Sequence, residues 1–194
     1  DIPCDTLLLS VGLIPENELT REAGAKLDPV TNGPVVNDEM ETTIPGFFAC
    51  GNVVQVHDLV DNVTREAWTA GEGAARLIAG EQPSGDTIAT AAGNGIRYVV
   101  PQAIHVENLS KRDVRMSMRV TAPGERVRIE AVLGDEVVFS RAERVVLPAE
   151  MVALTVPAGK ISAEQIEAAK AAGNDKLVIR VTPREAAAEG GARA

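Results

Sequence analysis

The run Thr43-Ile44-Pro45-Gly46-Phe47-Phe48-Ala49-Cys50-Gly51-Asn52 constrains this chain more than any other stretch. A Pro-Gly turn feeds a short apolar segment, which stops at glycine and then a polar side chain. Phe47 to Cys50 is short and apolar enough for a buried parallel strand, and in open α/β sheets ligands sit beyond the carboxyl ends of such strands. Gly51 removes the side chain where a backbone must approach a ligand closely, and Asn52 offers an amide that both donates and accepts hydrogen bonds. Beyond a loop, Asp61 or Asn62 is a good N-cap for a predicted helix from Arg65 to Ile78. Small residues recur along it at helical spacing, at Ala67, Ala70, Gly71, Ala74 and Ala75. That face suits close packing on a sheet or a ligand, and the helix start presents free N–H groups and a positive dipole end.

Two upstream segments follow the same logic. Cys4 to Leu19 reads as a polar start, a buried strand over Leu7-Leu8-Leu9-Ser10, and a turn at Gly12 with Pro15 after it. Gly33-Pro34-Val35-Val36-Asn37-Asp38-Glu39-Met40-Glu41-Thr42-Thr43 reads as an extended ribbon leading into the Phe47 segment. In order and spacing the three resemble the closing motifs of the FAD domain in two-dinucleotide-domain flavoproteins, the thioredoxin reductase group of pyridine nucleotide oxidoreductases. There T-x-x-P-G-I/V-F/Y-A-x-G-D ends the final parallel strand, and its acid bonds the ribitol of FAD. Here Asn52 stands at that position. The resemblance covers about Asp1 to Gly80 and is strongest to the subgroup related to amine and opine dehydrogenase subunits and found alongside glycerol-3-phosphate dehydrogenase. It implies FAD and NAD(P) as cofactors, with Gly12, Gly51, Asn52, Val63 and Thr64 as FAD contacts. It also places His57 beside the flavin, where histidine can donate a proton at physiological pH; the alternative is a His57 that bonds backbone while Asp58 opens the turn into the helix.

The family holds the FAD pyrophosphate, and the NAD, on G-x-G-x-x-G loops, and this sequence has neither. Gly71-Glu72-Gly73-Ala74-Ala75-Arg76 lacks the third glycine and falls inside the predicted helix. The expectation is therefore the C-terminal part of a longer flavoenzyme, inactive and without cofactor on its own. Its partner would be the rest of its own chain or a separate subunit, with a homodimer as a further option.

A formal net charge of −9 argues against nucleic acid and anionic membrane surfaces, and no apolar run nears the roughly 20 residues of a membrane span. Two distant cysteines without a C-x-x-C give neither a disulfide framework nor a dithiol centre. Cys4 and Cys50 read as small core residues, and the default location is cytoplasmic. No His, Cys and acid cluster has metal spacing, and His105 reads as structural or solvent-facing. With aromatics at 3%, stacking platforms for bases or sugars are few; Trp68 reads as a packing anchor or an interface residue.

After Gly80 the texture changes. Residues 83–95 read as a linker, and beyond them β-branched segments alternate: Ile96 to Val100, Val114 to Thr121, Arg126 to Leu133, Glu136 to Ser140, Glu143 to Leu147, Met151 to Val156 and Lys176 to Thr182. Gly134-Asp135 is a hairpin turn, and Ser162-Ala163-Glu164-Gln165 opens the one expected helix as a capping box. The fold class is α+β overall: an incomplete FAD-domain α/β segment over 1–82, then a small antiparallel, Ig-like β-sandwich over 96–184, with a frayed tail over 185–194. The expected function is hydride transfer between NAD(P)H and FAD in the intact protein, the sandwich docking to the flavin domain or a partner subunit. The alternative is a non-catalytic interaction module that keeps a flavoprotein-like segment.

Overall fold

The structure, a computed structural model, describes residues 2–10, 12–83 and 85–183; the 185–194 tail lies outside them. The first part of the chain holds α1 (Glu18–Glu22), a 3-10 turn (Gly51–Val53) and α2 (Val60–Ala79). Between α1 and the turn the ribbon carries isolated bridges in place of strands, Leu27 to Pro34, Val36 to Thr42, Glu41 to Phe48 and Asn37 to Ala103.

Two expected strands are absent here. Phe47 to Cys50 is not a buried parallel strand: Phe48 makes a single antiparallel bridge to Glu41, and both phenylalanines are half-buried. Leu7 to Ser10 has no regular structure, and Leu7, Leu8 and Leu9 are 74%, 90% and 76% exposed. The physical reason is common to both. A parallel strand needs neighbours to take its N–H and C=O groups, and no described residue runs parallel beside either segment.

Helix α2 starts five residues earlier than predicted, with Leu59 as its N-cap and no side-chain cap hydrogen bond. Asp61 instead occupies the first turn, and Asn62 Oδ1 accepts from Arg115 (3.1 Å). The helix stops at Gly80, whose φ of 72° lets Glu81 N–H return to Arg76 O (2.9 Å), while Gly80 N–H bonds Leu77 O (3.1 Å). The small residues divide between two faces. Ala70 and Gly73 are buried, and a Cβ on Gly73 would lie 2.6 Å from Glu39 O and 3.0 Å from Phe48 Cε1. Ala67, Gly71 and Ala75 are not buried, on the side of Val60, Trp68 and Ile78. Trp68, at 66% exposure, is not a buried packing anchor among the described residues.

The remainder is two sheets around one core. Its elements are β1 (Thr87–Ala92), β2 (Ile96–Val100), β3 (Ala103–His105), α3 (Val106–Lys111), β4 (Val114–Val120), β5 (Gly124–Leu133), β6 (Glu136–Val146), β7 (Val152–Val156), α4 (Ala163–Ala171) and β8 (Lys176–Pro183). One sheet runs β3-β1-β8-β5-β6 and the other β2-β4-β7. Pairing is mostly antiparallel, with β1 and β8 running parallel. Two helices, α3 and α4, accompany the sheets where one was expected, and the segment read as linker contains β1. That strand, Thr-Ile-Ala-Thr-Ala-Ala, carries no alternation because only Ile88 is buried. The predicted strands at Glu136 and Glu143 are a single strand, β6, paired along β5 through Arg141 and Ala142.

Alternation in β4 sends Val114, Met116, Met118 and Val120 into the core, where they meet Leu154 and Val156 of β7, Ile129 and Ala131 of β5 and Ile179 of β8. Helix α4 packs Ile166 into the same core and carries the predicted capping box. Ser162 Oγ accepts from Gln165 N (3.2 Å), and Gln165 Oε1 accepts from Ser162 N (2.9 Å). Ser162→Ala should cost about 1 kcal/mol, read as a lower urea midpoint at unchanged slope; an unchanged midpoint would mean the box adds nothing.

Strand β2 joins the two parts of the chain. Its pairing with β4 slips between Ile96 and Tyr98, as a bulge does. Ile96 and Val99 therefore reach the main core while Tyr98 and Val100 face a second cluster with Val36, Met40, Ala49, Val54 and Ala70. The ribbon and α2 thus rest on the back of β2.

Candidate functional site

Gly51 and Asn52 stand at the head of the 3-10 turn, against α2. Gly51 has φ 74°, a left-handed conformation natural to glycine, and a Cβ there would lie 3.1 Å from Val63 Cγ1. Its N–H donates to Glu66 Oε2 (2.8 Å). Asn52 is exposed, and its Oδ1 accepts from His57 N (3.1 Å), leaving the side-chain NH2 as an outward donor. Val63 is half-buried beside Gly51; Thr64 is exposed and donates to Val60 O (3.2 Å). The α2 start, without a side-chain cap, lies next to them. Gly12 has φ 109° and is exposed, and a Cβ there would meet nothing within 4 Å.

His57 is buried, its side chain only 1% exposed, and Nε2 lies 3.0 Å from Glu66 Oε2. That approach is off the line of a hydrogen bond, and neither ring nitrogen has a hydrogen-bond partner. Glu66 also accepts from Gln55 Nε2 (2.6 Å). Asp58 turns away, to Arg119 and the Met151 N–H. Cys50 lines an apolar cleft of about 530 Å³ with Leu19, Phe47, Phe48 and Val53. Burial pushes its thiol up, and the Glu66 carboxylate pushes the same way, so it is not a reactive thiolate. Cys4, read as a core residue, is exposed.

Does this edge fit a flavin? An exposed amide whose carbonyl is already committed, a glycine without side chain and a helix start without a side-chain cap fit one wall of a cofactor site. The clefts around Glu66 and Arg115, Glu39 and His105, Leu19 and Cys50, and Gln55 and Arg119 take no lining residue from Gly12, Gly51, Asn52, Val63 or Thr64. No group of three or more metal-ligating side chains exists among the described residues.

A second polar centre, not foreseen from sequence, ties ribbon to sheet. Asp38 Oδ1 accepts from the backbone N–H of His105 (2.9 Å) and meets its Nδ1 (2.7 Å), and Oδ2 accepts from Asn108 (2.7 Å) and Arg112 (3.2 Å). Glu39 Oε1 accepts from Arg112 (2.8 Å) and Arg76 (2.9 Å). Burial opposes ionisation of Asp38, but the His105 and Asn108 hydrogen bonds outweigh it and hold the carboxyl below its ordinary value. The bond to Asp38 raises His105 in turn, against burial. His105 is therefore structural, one of the two roles its sequence context suggests. Asn17, which no sequence pattern marks, is buried and donates to Asn32 O (2.9 Å) and Val53 O (2.8 Å), tying the start of α1 to the Gly51 turn.

No helix among the described residues is long and apolar enough to cross a membrane. No solved structure matches the chain significantly. A putidaredoxin reductase of Pseudomonas putida is 38% identical over 56 residues, which are 29% of this chain and 13% of the relative, so the chain covers only a small share of that protein's length. Residues 1–74 match the family model of the pyridine nucleotide-disulphide oxidoreductases. The family-model match covers the part of the chain that carries the Gly51–Asn52 edge, which is similar there to the pyridine nucleotide-disulphide oxidoreductases.

Proposed function

We propose that this chain is the C-terminal part of an FAD-dependent, NAD(P)-linked oxidoreductase, its first 82 residues completing the FAD domain and the two-sheet part docking to that domain or to a partner subunit. The observation that carries this reading is Asn52, exposed at the end of a left-handed glycine and already bonded through its carbonyl to His57. Its remaining NH2 would donate to a ribitol hydroxyl, where the resembling family uses an acid as acceptor. Val63 and Thr64 would present the α2 start to the pyrimidine edge of the flavin, an acceptor that suits free N–H groups and a positive dipole. Gly12 would let the crossing segment turn close by. His57, the proton donor that the resemblance implies, lies sealed behind the edge with Nε2 3.0 Å from Glu66 Oε2. When bound, FAD supplies the hydride chemistry with nicotinamide.

The exposed apolar surface supports the same reading. Leu7, Leu8 and Leu9 with the Val60, Trp68 and Ile78 face of α2 are more than single exposed residues, and the rest of a flavoprotein chain is the occupant we assign to them. A non-catalytic interaction module is the second reading, favoured by the clefts described above taking no lining residue from Gly51 or Asn52. The test is the visible spectrum of the purified full-length protein. A flavin spectrum bleached by NADH or NADPH supports the enzyme and identifies the donor; a colourless protein that also takes up no added FAD overturns it in favour of the module.

A further inference from the structure

Glu66 collects more of the Gly51 turn than any other side chain. Its carboxylate accepts from Gly51 N–H (2.8 Å) and from Gln55 Nε2 (2.6 Å), and His57 Nε2 stands 3.0 Å away. These three residues bracket Asn52 on both sides. The carboxylate's own side chain is only 13% exposed, where hydrogen bonds to a charge are strong. Helix α2, which carries it, cannot shift easily, because Gly73 fits against Glu39 O and Phe48 with no room for a methyl group. The turn also closes on itself through Asn52 Oδ1 and His57 N (3.1 Å).

We infer that Glu66 is the positioning residue of the flavin edge: by holding Gly51 and Gln55 to α2, on either side of Asn52, it fixes where the Asn52 amide stands. Glu66 touches no cofactor in this role and acts through the turn. Without it Gly51 N–H and Gln55 Nε2 lose their acceptor, and the left-handed Gly51 loses the bond that selects its conformation. The inference rests on the flavin reading above.

The test uses the full-length protein, with E66A, E66Q and, as a control for general stability loss, I129V in the main core. Hydrogen exchange over residues 50–57 is measured in the flavin-free form, and FAD affinity by fluorescence titration. In E66A exchange over this stretch should quicken about tenfold or more and FAD should bind about tenfold or more weakly, since a bond to an ionised acceptor is worth at least a decade. E66Q keeps an acceptor for Gly51 N–H and should fall between wild type and E66A; it carries the comparison if E66A does not fold. I129V should lower thermal stability with neither change. Unchanged exchange over 50–57 overturns the inference, as does faster exchange with wild-type FAD affinity, or an equal loss of affinity in I129V. A wild-type protein that takes up no FAD sinks the functional reading, and the positioning role falls with it.

Discussion

Gly33→Ala is expected to lower the melting temperature by about 6 °C or more, the largest effect among glycine-to-alanine changes at the described residues. A Cβ at Gly33 would lie 1.9 Å from Val54 O, 2.5 Å from Val54 C and 2.7 Å from Val54 Cα. The obstacle is main chain, so no rotamer change relieves it. The ribbon and the end of the 3-10 turn must separate, and both are pinned: Gly33 O accepts from Asp28 N (2.8 Å), and Val54 N–H is bonded to Gly51 O (2.9 Å). Val54 itself is fully buried in the smaller core. Overpacking of a tight site costs about 1–3 kcal/mol and sometimes more, and we place this case at or above the upper end. In a chain of this size each kcal/mol moves the midpoint by about 2–4 °C. Because the same displacement pulls Val53 O from Asn17 Nδ2, amide exchange should quicken at residues 51–54 as well. A melting temperature within about 2 °C of wild type would refute this account of the packing.

The two glycines of that region differ in how far sequence can reach them. Gly51 is legible because a glycine ending an apolar run is a local pattern. Gly33 is legible only as part of a ribbon, since Val54 comes within reach through the fold alone. The same division runs through the two sheets. The capping box at Ser162, the Gly134-Asp135 hairpin and the alternation of β4 are decided by neighbours within a few residues, and each stands where the local pattern puts it. The parallel pairing of β1 with β8 joins residues far apart in the chain, Ala89 with Lys176, and nothing in Thr-Ile-Ala-Thr-Ala-Ala announces it. Leu7 to Ser10 fails in the opposite direction: its apolar pattern is strong, but no described strand accepts it. In the sequence Glu66 is one polar residue of a helix among several, and its role arises because α2 lies against a turn that precedes it in the chain.

Asp38→Ala should be the second large effect, and its pH dependence makes it specific. The carboxylate is nearly sealed, at 2% side-chain exposure, and receives donors from His105, Asn108 and Arg112. Removing one partner of a buried pair costs about 3–5 kcal/mol; since Arg112 is 29% exposed and partly screened by water, we expect about 3 kcal/mol near pH 6. The sign follows from the two shifts. Asp38 lies below its ordinary value in the folded protein, so its contribution is present above the unfolded value of about 4 and is lost as pH falls through the folded one. His105 lies above its ordinary value, so its contribution is full below about 6.5 and is lost as pH rises through the folded one. The stability gap between wild type and Asp38→Ala should therefore be widest between about pH 4 and 6.5 and narrow on both the acid and the alkaline side. Urea midpoints across that range measure it. A gap independent of pH would mean that Asp38 acts by shape alone, and the joint between the ribbon and the sheets would then be held by the Val36 and Tyr98 cluster rather than by charge.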